Sequence, residues 1–174
     1  ARNIWMQLRT PWSGLRNSCA IPAANSPVRA KRSRLETISS SLDDIPGVQR
    51  ASDLVEHAGR AVLVSEDFGG TDAERLAAGR SLPLADVLAW TLAAARTLAE
   101  VHRRDVVHGD LRPSHLVIEP RSGRVEIIDF SRASRLARES ARPRHAETAD
   151  FRLTFASPEL TGRTHRPVDH RSDL

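Results

Sequence analysis

Cysteine, lysine and tyrosine are nearly missing from this chain of 174 residues. It holds one Cys, Cys19, one Lys and no Tyr, and aromatic residues make up only 4%. A single cysteine excludes an internal disulfide, so we expect a protein of the reducing cytoplasm. No apolar run approaches the ~20 residues of a membrane-spanning helix, and the first residues lack the apolar core of a signal peptide. The sequence therefore predicts a water-soluble chain.

Acidic residues are missing from one end of the chain. Residues 1–35 hold seven basic side chains and no acidic one, whereas residues 36–174 hold nineteen basic and twenty-two acidic side chains. The basic segment shows neither a helical nor an alternating apolar period, and it contains no recognisable nucleic-acid-binding motif. We interpret residues 1–34 as a basic leader, disordered or foreign, and we expect no nucleic-acid partner.

Periodic structure is expected from Leu35 onward. A short amphipathic stretch reaches Leu42 and should end at residues 45–48, where Pro and Gly stop a helix. Residues 48–55 and 60–65 are predicted to form the two strands of a β-hairpin. The length of the chain suits one moderate core, and hence one domain or a large part of one.

A long helix is predicted after residues 66–70, a connection with two glycines that we interpret as a hinge. Pro83 suits the first turn of this helix, which should reach about Arg104. Apolar residues at three- and four-residue spacings should form its buried face, namely Leu84, Leu88, Leu92, Ala95, Leu98, Ala99 and His102.

Two carboxylates flank a second predicted hairpin, whose strands are residues 116–119 and 125–128. Asp110 precedes it in the run His-Gly-Asp-Leu-Arg-Pro-Ser-His, and Asp129 follows it in Ile-Ile-Asp-Phe-Ser. The two side chains should therefore converge on one cleft from different elements. Phosphoryl transfer needs such a pair, because one carboxylate orients the attacking hydroxyl and another holds the Mg²⁺ that shields the nucleotide phosphates.

These motifs resemble those of the eukaryotic-like Ser/Thr protein kinases over residues 35–174. His-Gly-Asp110 resembles the catalytic loop of that family, Asp129-Phe-Ser its metal-binding motif, and Ser157-Pro-Glu the end of its activation segment. The resemblance implies an α+β, protein kinase-like bilobal fold. Residues 35–174 would supply part of the small-lobe strands and the first half of the mainly helical large lobe, as a partial domain truncated at both ends.

One bacterial branch of the family is especially similar to residues 157–163 and 166–174. In that branch a kinase-like module precedes an ATPase-type module and a sensor histidine kinase in one polypeptide. The resemblance implies a role in bacterial signal transduction, with further signalling modules fused downstream. Asp173 would begin the helix that anchors the catalytic loop from below.

The resemblance also implies a site that uses ATP and Mg²⁺ to phosphorylate a protein substrate. Asp110 would orient the substrate hydroxyl, and Arg112 would bring positive charge near the γ-phosphate. Asp129 would bind Mg²⁺. The backbone carbonyl of Glu66 and the backbone amide of Phe68 would face adenine.

Several residues depart from the family pattern. His115 stands where an Asn normally binds a second Mg²⁺, so it is a candidate ligand of that ion, although imidazole is a poor partner for so hard a cation. Of the two roles, we favour a structural one for this histidine over a metal contact. Ser131 replaces a glycine, Gly109 replaces the Arg that pairs with an activation-loop phosphate, and Arg152 replaces a Thr of the peptide-substrate platform.

The upstream nucleotide-binding elements are also incomplete. No glycine-rich phosphate loop is visible in the sequence. Lys31 has the Val-x-x-Lys setting of the family's strand lysine and is our candidate for contacting ATP, but Glu36 follows too soon to be a clear helical partner.

Three functions stay open on these grounds. The first is a fragment of a Ser/Thr protein kinase module. The second is a pseudokinase, which would use the fold for docking or nucleotide sensing. The third is a small-molecule phosphotransferase of the aminoglycoside-kinase type, which shares the His-Gly-Asp-Leu run. The Ser157-Pro-Glu ending argues against the third, since it is typical of protein kinases.

Overall fold

The computed structural model describes residues 27–57, 60–65, 67, 69–136, 153–161, 163–164 and 166–174, with backbone alone for residues 27–31, 56–57, 60–63 and 153. Its helices are α1 (Pro27–Leu42), α2 (Ala73–Ala77) and α3 (Leu84–His102). Its strands are β1 (Ala51–His57), β2 (Arg60–Ser65), β3 (Thr71–Asp72), β4 (Val106–Val107), β5 (Leu116–Glu119), β6 (Arg124–Ile127) and β7 (Ser134–Arg135). Helices beside small antiparallel sheets confirm the predicted α+β class.

Helix α1 begins at Pro27, upstream of the predicted start at Leu35. Proline fits a first helical turn, because the N–H that it lacks would have no partner there. The predicted amphipathic stretch is the C-terminal half of this helix, where Leu35, Ile38 and Leu42 are at most 2% exposed. Burying one such side chain stabilises a fold by roughly 1.5–3 kcal/mol. Lys31 also lies on this helix, and not on a strand as the resemblance implied.

The first predicted hairpin is confirmed. Strands β1 and β2 pair antiparallel, with Leu54 opposite Leu63 and His57 opposite Arg60. The first strand starts at Ala51, later than predicted, because the residues before it join another sheet. Val48 forms a parallel bridge with Ile127 of β6.

The second predicted hairpin, β5 with β6, is the centre of a three-stranded sheet in the order β3-β5-β6. Leu116 pairs with Ile127 at the end of the hairpin nearest the two predicted carboxylates. Strand β3 and the short helix α2 were not predicted, because elements of two and five residues are too short to show a period. The side chain of Asp72 accepts a hydrogen bond from the Arg75 backbone N at 2.9 Å and so begins α2.

Helix α3 packs against other described elements mainly through its C-terminal half, and Trp90 and Ala93 lie against a cluster that includes Leu76 and Ile118. The buried residues of the helix are Ala94, Thr97, Leu98 and Val101. The predicted buried face is right at Leu98 and in part at His102, whose side chain is 15% exposed. It is wrong at the exposed residues Leu84, Leu88, Leu92, Ala95 and Ala99. The described neighbours pack against the later turns of the helix, and a sequence period cannot show how far a neighbouring element extends.

One apolar core joins α1, α3, β4 and β6. It consists of Ile38, Leu42, Ile45, Val48, Leu98, Val101, Val106, Ile127, Phe130 and Ala133. Phe130 directly follows Asp129, one of the two predicted carboxylates. The position of that carboxylate is therefore fixed by the packing of its neighbour in the core.

Gly47 lies where the turn after α1 meets α3 and β6. Its φ of +85° is in the left-handed region, and its carbonyl accepts a hydrogen bond from the Ile127 backbone N at 2.7 Å. The Thr97 hydroxyl donates to the Pro46 carbonyl at 3.1 Å. A Cβ on Gly47 would overlap Thr97 Oγ1 and lie 3.2 Å from the Val125 carbonyl oxygen. Glycine is therefore required at this junction by both backbone conformation and space.

The carboxylate of Asp173 anchors the loop that follows β4. It lies in the 3₁₀ turn His170–Asp173, its side chain is 0% exposed, and it accepts hydrogen bonds from the backbone N of His108 and of Gly109, each at 2.8 Å. The Nε2 of His102 lies 2.9 Å from the same carboxylate. A buried carboxylate needs such donors, and here they hold the loop that carries Asp110. Asp173 ends the described 3₁₀ turn, so a helix beginning at this residue stays a prediction.

None of the helices in the described part of the chain combines the length and the apolar character that a membrane crossing requires.

Substituting Gly47→Ala should lower the free energy of unfolding by about 2–5 kcal/mol. A left-handed backbone is unfavourable for alanine, and the added Cβ also overlaps Thr97. Urea unfolding followed by circular dichroism measures the change. Gly79→Ala is the matched control: its φ is +65° with nothing within 4 Å of the added Cβ, so only about 1–2 kcal/mol should be lost. Equal losses in the two variants would contradict the predicted overlap.

Substituting Asp173→Asn should lower the free energy of unfolding by about 1–3 kcal/mol, because the amide NH₂ leaves one buried donor without an acceptor. Hydrogen exchange should quicken at the amides of His108 and Gly109 in particular. Asp67→Asn is the control, since exposed Asp67 accepts one bond from the Gly69 backbone N and an amide oxygen can do the same. Unchanged exchange at both loop amides would contradict the anchoring role.

Candidate active site

His108 links the loop after β4 to the end of β6. The ring is 0% exposed, and its Nε2 donates to the Ile128 carbonyl at 3.0 Å while its Nδ1 accepts from the Asp110 backbone N at 3.3 Å. The ring meets Phe130 edge-on, with centroids 4.7 Å apart. Burial lowers the pKa of His108, so this ring is neutral. Its role is structural, because it connects the Asp110 backbone to the Ile128 carbonyl. Sequence reasoning missed this role; the apolar Val-Val pair directly before it was the available signal of burial.

Gly109 occupies the position where the resemblance places an arginine. Its φ is +76°, and an added Cβ would lie 3.1 Å from the Arg132 carbonyl oxygen. The two carboxyl-bearing segments, one on each side of the β5-β6 hairpin, therefore touch through backbone at this residue. A side chain here would push them apart.

Asp129 has a left-handed backbone, with φ 62° and ψ 62°, which Asp tolerates better than most residues do. Its Oδ1 accepts a hydrogen bond from the Ser131 backbone N at 3.2 Å. Burial opposes ionisation of this carboxyl group, but hydrogen bonds from the side chain and backbone of Ser131 lower its pKa overall. Ser131, a departure from the family's glycine, thus favours the charged form of Asp129. It lies in the 3₁₀ turn Phe130–Arg132, a conformation open to any residue.

His115 brings the two predicted carboxylates together. Its Nδ1 lies 2.7 Å from the Asp110 carbonyl oxygen and 4.0 Å from the Asp110 carboxylate, and its Nε2 lies 3.5 Å from the Asp129 carboxylate. The side chain of His115 is 7% exposed, that of Asp110 11% and that of Asp129 30%. The structure therefore joins both carboxylates through one imidazole, with Asp129 the more open to solvent.

Arg112 completes the group. Its Nε donates a hydrogen bond to His115 Nε2 at 3.1 Å, and its Nη2 lies 3.8 Å from the Asp110 carboxylate. The side chain is 15% exposed. The predicted residues Asp110, Arg112, His115 and Asp129 therefore form one cluster, which we call the carboxylate cluster.

The donor chemistry of the carboxylate cluster fits a Mg²⁺ that is held mainly by a nucleotide. Within the described residues no three His, Cys, Asp or Glu side chains converge as a metal site. Mg²⁺ in phosphotransfer sites is commonly held by one or two carboxylates together with phosphate oxygens and water. Asp129 would hold such an ion, because its carboxylate is ionised and partly open to solvent.

The residues predicted to face adenine, Glu66 and Phe68, lie outside the described residues. Between them Asp67 is exposed and accepts from the Gly69 backbone N at 2.9 Å. The side chain of the predicted ATP-contacting Lys31 also lies outside the described residues. Glu36, its candidate partner, is exposed and forms an ion pair with Arg32 at 2.9 Å.

The activation-segment ending is described only in part. Residues 157–160 form a turn in which the Leu160 backbone N donates to the Ser157 carbonyl at 3.0 Å. Arg152, a predicted departure at the peptide-substrate platform, lies outside the described residues.

Known relatives of the chain are protein kinases. It is 26% identical over 156 residues to a probable serine/threonine-protein kinase of Streptomyces coelicolor. The aligned region covers 87% of this chain and 23% of that protein. It is 36% identical over 58 residues to a glycogen synthase kinase-3 homologue of Saccharomyces cerevisiae, covering 33% and 16%. A second serine/threonine-protein kinase of that yeast is 31% identical over 97 residues, covering 54% and 30%. The chain spans less than a third of the length of these relatives.

The family model described as the protein kinase domain matches residues 27–174. The match begins with α1 and includes the carboxylate cluster, the activation-segment ending and Asp173. The elements that the structure describes are consistent with an incomplete kinase fold, in which small-lobe strands precede a helix and the loop that carries Asp110. This chain belongs to the protein kinase family.

Proposed function

We propose that this chain is part of a Ser/Thr protein kinase module that transfers the γ-phosphoryl group of ATP to a protein hydroxyl. One observation carries the proposal: the carboxylates of Asp110 and Asp129 lie 4.0 and 3.5 Å from opposite nitrogens of the His115 ring. Two carboxylates so close can act on the two ends of one reaction, the incoming hydroxyl and the metal-bound phosphates.

Three members of the carboxylate cluster have separate roles in this proposal. Asp110 accepts a hydrogen bond from the substrate hydroxyl and orients its oxygen toward the γ-phosphorus. Arg112 lies beside Asp110 and supplies positive charge where the phosphate charge must be compensated. Asp129 holds the Mg²⁺, which when bound shields the negative charge of the nucleotide phosphates.

The adenine base would bind at the connection after β2. We assign the contacts to the backbone carbonyl of Glu66 and the backbone amide of Phe68, as the resemblance implies. Within this connection the Asp67 side chain accepts a hydrogen bond from the Gly69 backbone N at 2.9 Å.

A role in bacterial cytoplasmic signal transduction, with signalling modules fused downstream, belongs to the same proposal. Similarity to the Streptomyces coelicolor kinase over 87% of this chain supports a bacterial setting. Membership of the protein kinase family favours a protein hydroxyl over a small-molecule acceptor such as an aminoglycoside.

A pseudokinase is the second candidate, and it rests on the position of Lys31, the predicted ATP-contacting residue. The backbone of Lys31 lies on helix α1, whereas the ATP-contacting lysine of active kinases lies on a strand, and Glu36 forms an ion pair with Arg32. In this candidate the fold binds nucleotide without transferring phosphate.

Substituting Asp110→Asn should reduce phosphoryl transfer by about 100-fold or more, because losing a general base of this kind typically costs 10²–10⁴-fold. Transfer of radiolabelled phosphate from ATP to the chain itself and to Ser/Thr peptides measures the rate. Nucleotide binding should be retained. Asp105→Asn is the control, since Asp105 is exposed at φ 56°, where Asn is equally tolerated. Undiminished transfer, or an aminoglycoside phosphorylated in preference to any peptide, would contradict the proposal.

Substituting Asp129→Asn should weaken Mg²⁺-dependent ATP binding by more than about tenfold. A loss of about tenfold in metal affinity already follows when a residue that hydrogen-bonds a metal ligand is removed, and here the ligand itself loses its charge. Asn keeps the left-handed backbone accessible, so the effect reports on the carboxylate charge. Calorimetric titration with ATP in the presence and absence of Mg²⁺ separates metal-dependent binding from contacts to the base. An equal ATP affinity of the variant and the unaltered chain at saturating Mg²⁺ would rule out Asp129 as the ligand.

A further inference from the structure

We infer that the site binds one divalent cation, at Asp129, and that the Arg112 guanidinium held by His115 takes the place of a second. The inference rests on the proposed function and deepens it, because it assigns the charge balance of that same site. It also reassigns His115 from a metal ligand to a residue that positions Arg112.

The hydrogen bonds of His115 determine where its ring proton lies. Its Nδ1 is 2.7 Å from the Asp110 carbonyl oxygen, and a carbonyl can only accept, so Nδ1 carries the hydrogen. In a neutral ring Nε2 is then bare and acts as an acceptor. Arg112 Nε donates to it at 3.1 Å, and a guanidinium cannot accept, so the direction of this bond is fixed as well.

The two close contacts occupy both nitrogens of the His115 ring, because Nδ1 donates to the Asp110 carbonyl and Nε2 accepts from Arg112 Nε. The Asp129 carboxylate lies farther from Nε2, at 3.5 Å. The lone pair of Nε2 is therefore engaged by Arg112 and is not available to a metal ion.

Arg112 is held in place on a second side. Its Nη2 lies 3.8 Å from the Asp110 carboxylate, and only 15% of its side chain is exposed. Because His115 Nε2 contacts Arg112 and also lies 3.5 Å from Asp129, the guanidinium lies beside the gap between the two carboxylates. A second cation held by residue 115 and Asp129 would have to lie beside this guanidinium. A fixed guanidinium is positively charged at every physiological pH and binds phosphate oxygens through two N–H groups.

The first experiment measures the hydrogen bond itself, without nucleotide or metal. In the whole chain with ¹⁵N-labelled histidine, the His115 signals, assigned by their loss in His115→Asn, should show hydrogen on Nδ1 and none on Nε2. In Arg112→Ala the Nε2 resonance should move downfield, toward that of an unbonded nitrogen, while the control Arg121→Ala, at an exposed turn, should leave it unchanged. Hydrogen on Nε2, or no shift in Arg112→Ala, overturns the pairing.

The second experiment counts cations. With a non-hydrolysable ATP analogue, the unaltered chain should bind one Mn²⁺ per bound nucleotide. His115→Asn should bind two, because the amide oxygen offers a ligand and Arg112 is released. Ser114→Asn, which puts the same side chain one residue away, should still bind one. Two Mn²⁺ in the unaltered chain, or one in a folded His115→Asn variant, overturns the inference.

The two experiments also separate this inference from the function on which it rests. If the unaltered chain binds neither nucleotide nor Mn²⁺, the single-cation count and the proposed function both fail, while the ¹⁵N pattern still decides whether His115 and Arg112 are paired. If His115→Asn does not fold, Arg112→Ala replaces it in the count. Release of Nε2 should then allow a second Mn²⁺, and a persistent count of one overturns the inference.

Discussion

The site depends on one buried carboxylate that takes no part in its chemistry. Asp173 accepts the backbone N–H groups of His108 and Gly109, and these two residues fix the loop on which Asp110 stands. The ring of His108 in turn donates a hydrogen bond to the Ile128 carbonyl after β6 and packs edge-on against Phe130 in the apolar core. These contacts connect the loop to the end of β6. A short chain of directed hydrogen bonds thus places this loop, and Leu111 adds packing against the apolar core.

The β5-β6 hairpin supplies the second restraint. Asp110 lies before β5 and Asp129 follows β6, so the pairing of Leu116 with Ile127 brings the two segments near each other. The imidazole of His115 completes the approach by touching groups from both ends. Two carboxylates held near each other in a partly buried site need a positive charge close by. In this chain a protein cation, Arg112, lies within the cluster before any ion or nucleotide is considered.

Local features could be predicted from the sequence, and features set by contacts between distant segments could not. The β5-β6 hairpin and the positions of Asp110 and Asp129 follow from strand periods and turn residues a few positions apart. The exposure of Leu84 and Leu88 does not follow, because the apolar period of α3 is the same whether or not a neighbour covers the helix. The contact of Arg112 with His115 depends on side-chain conformation, and two polar residues three apart carry no signal of it.

The close approach at Gly109 has a consequence for how this sequence can change. A side chain there would meet the Arg132 backbone, which is itself fixed by the turn that begins at Asp129. An arginine at this position would require a rearrangement of that turn. The loop therefore offers no arginine here to an activation-segment phosphate, and control of the site through such a phosphate would need a cation at another position.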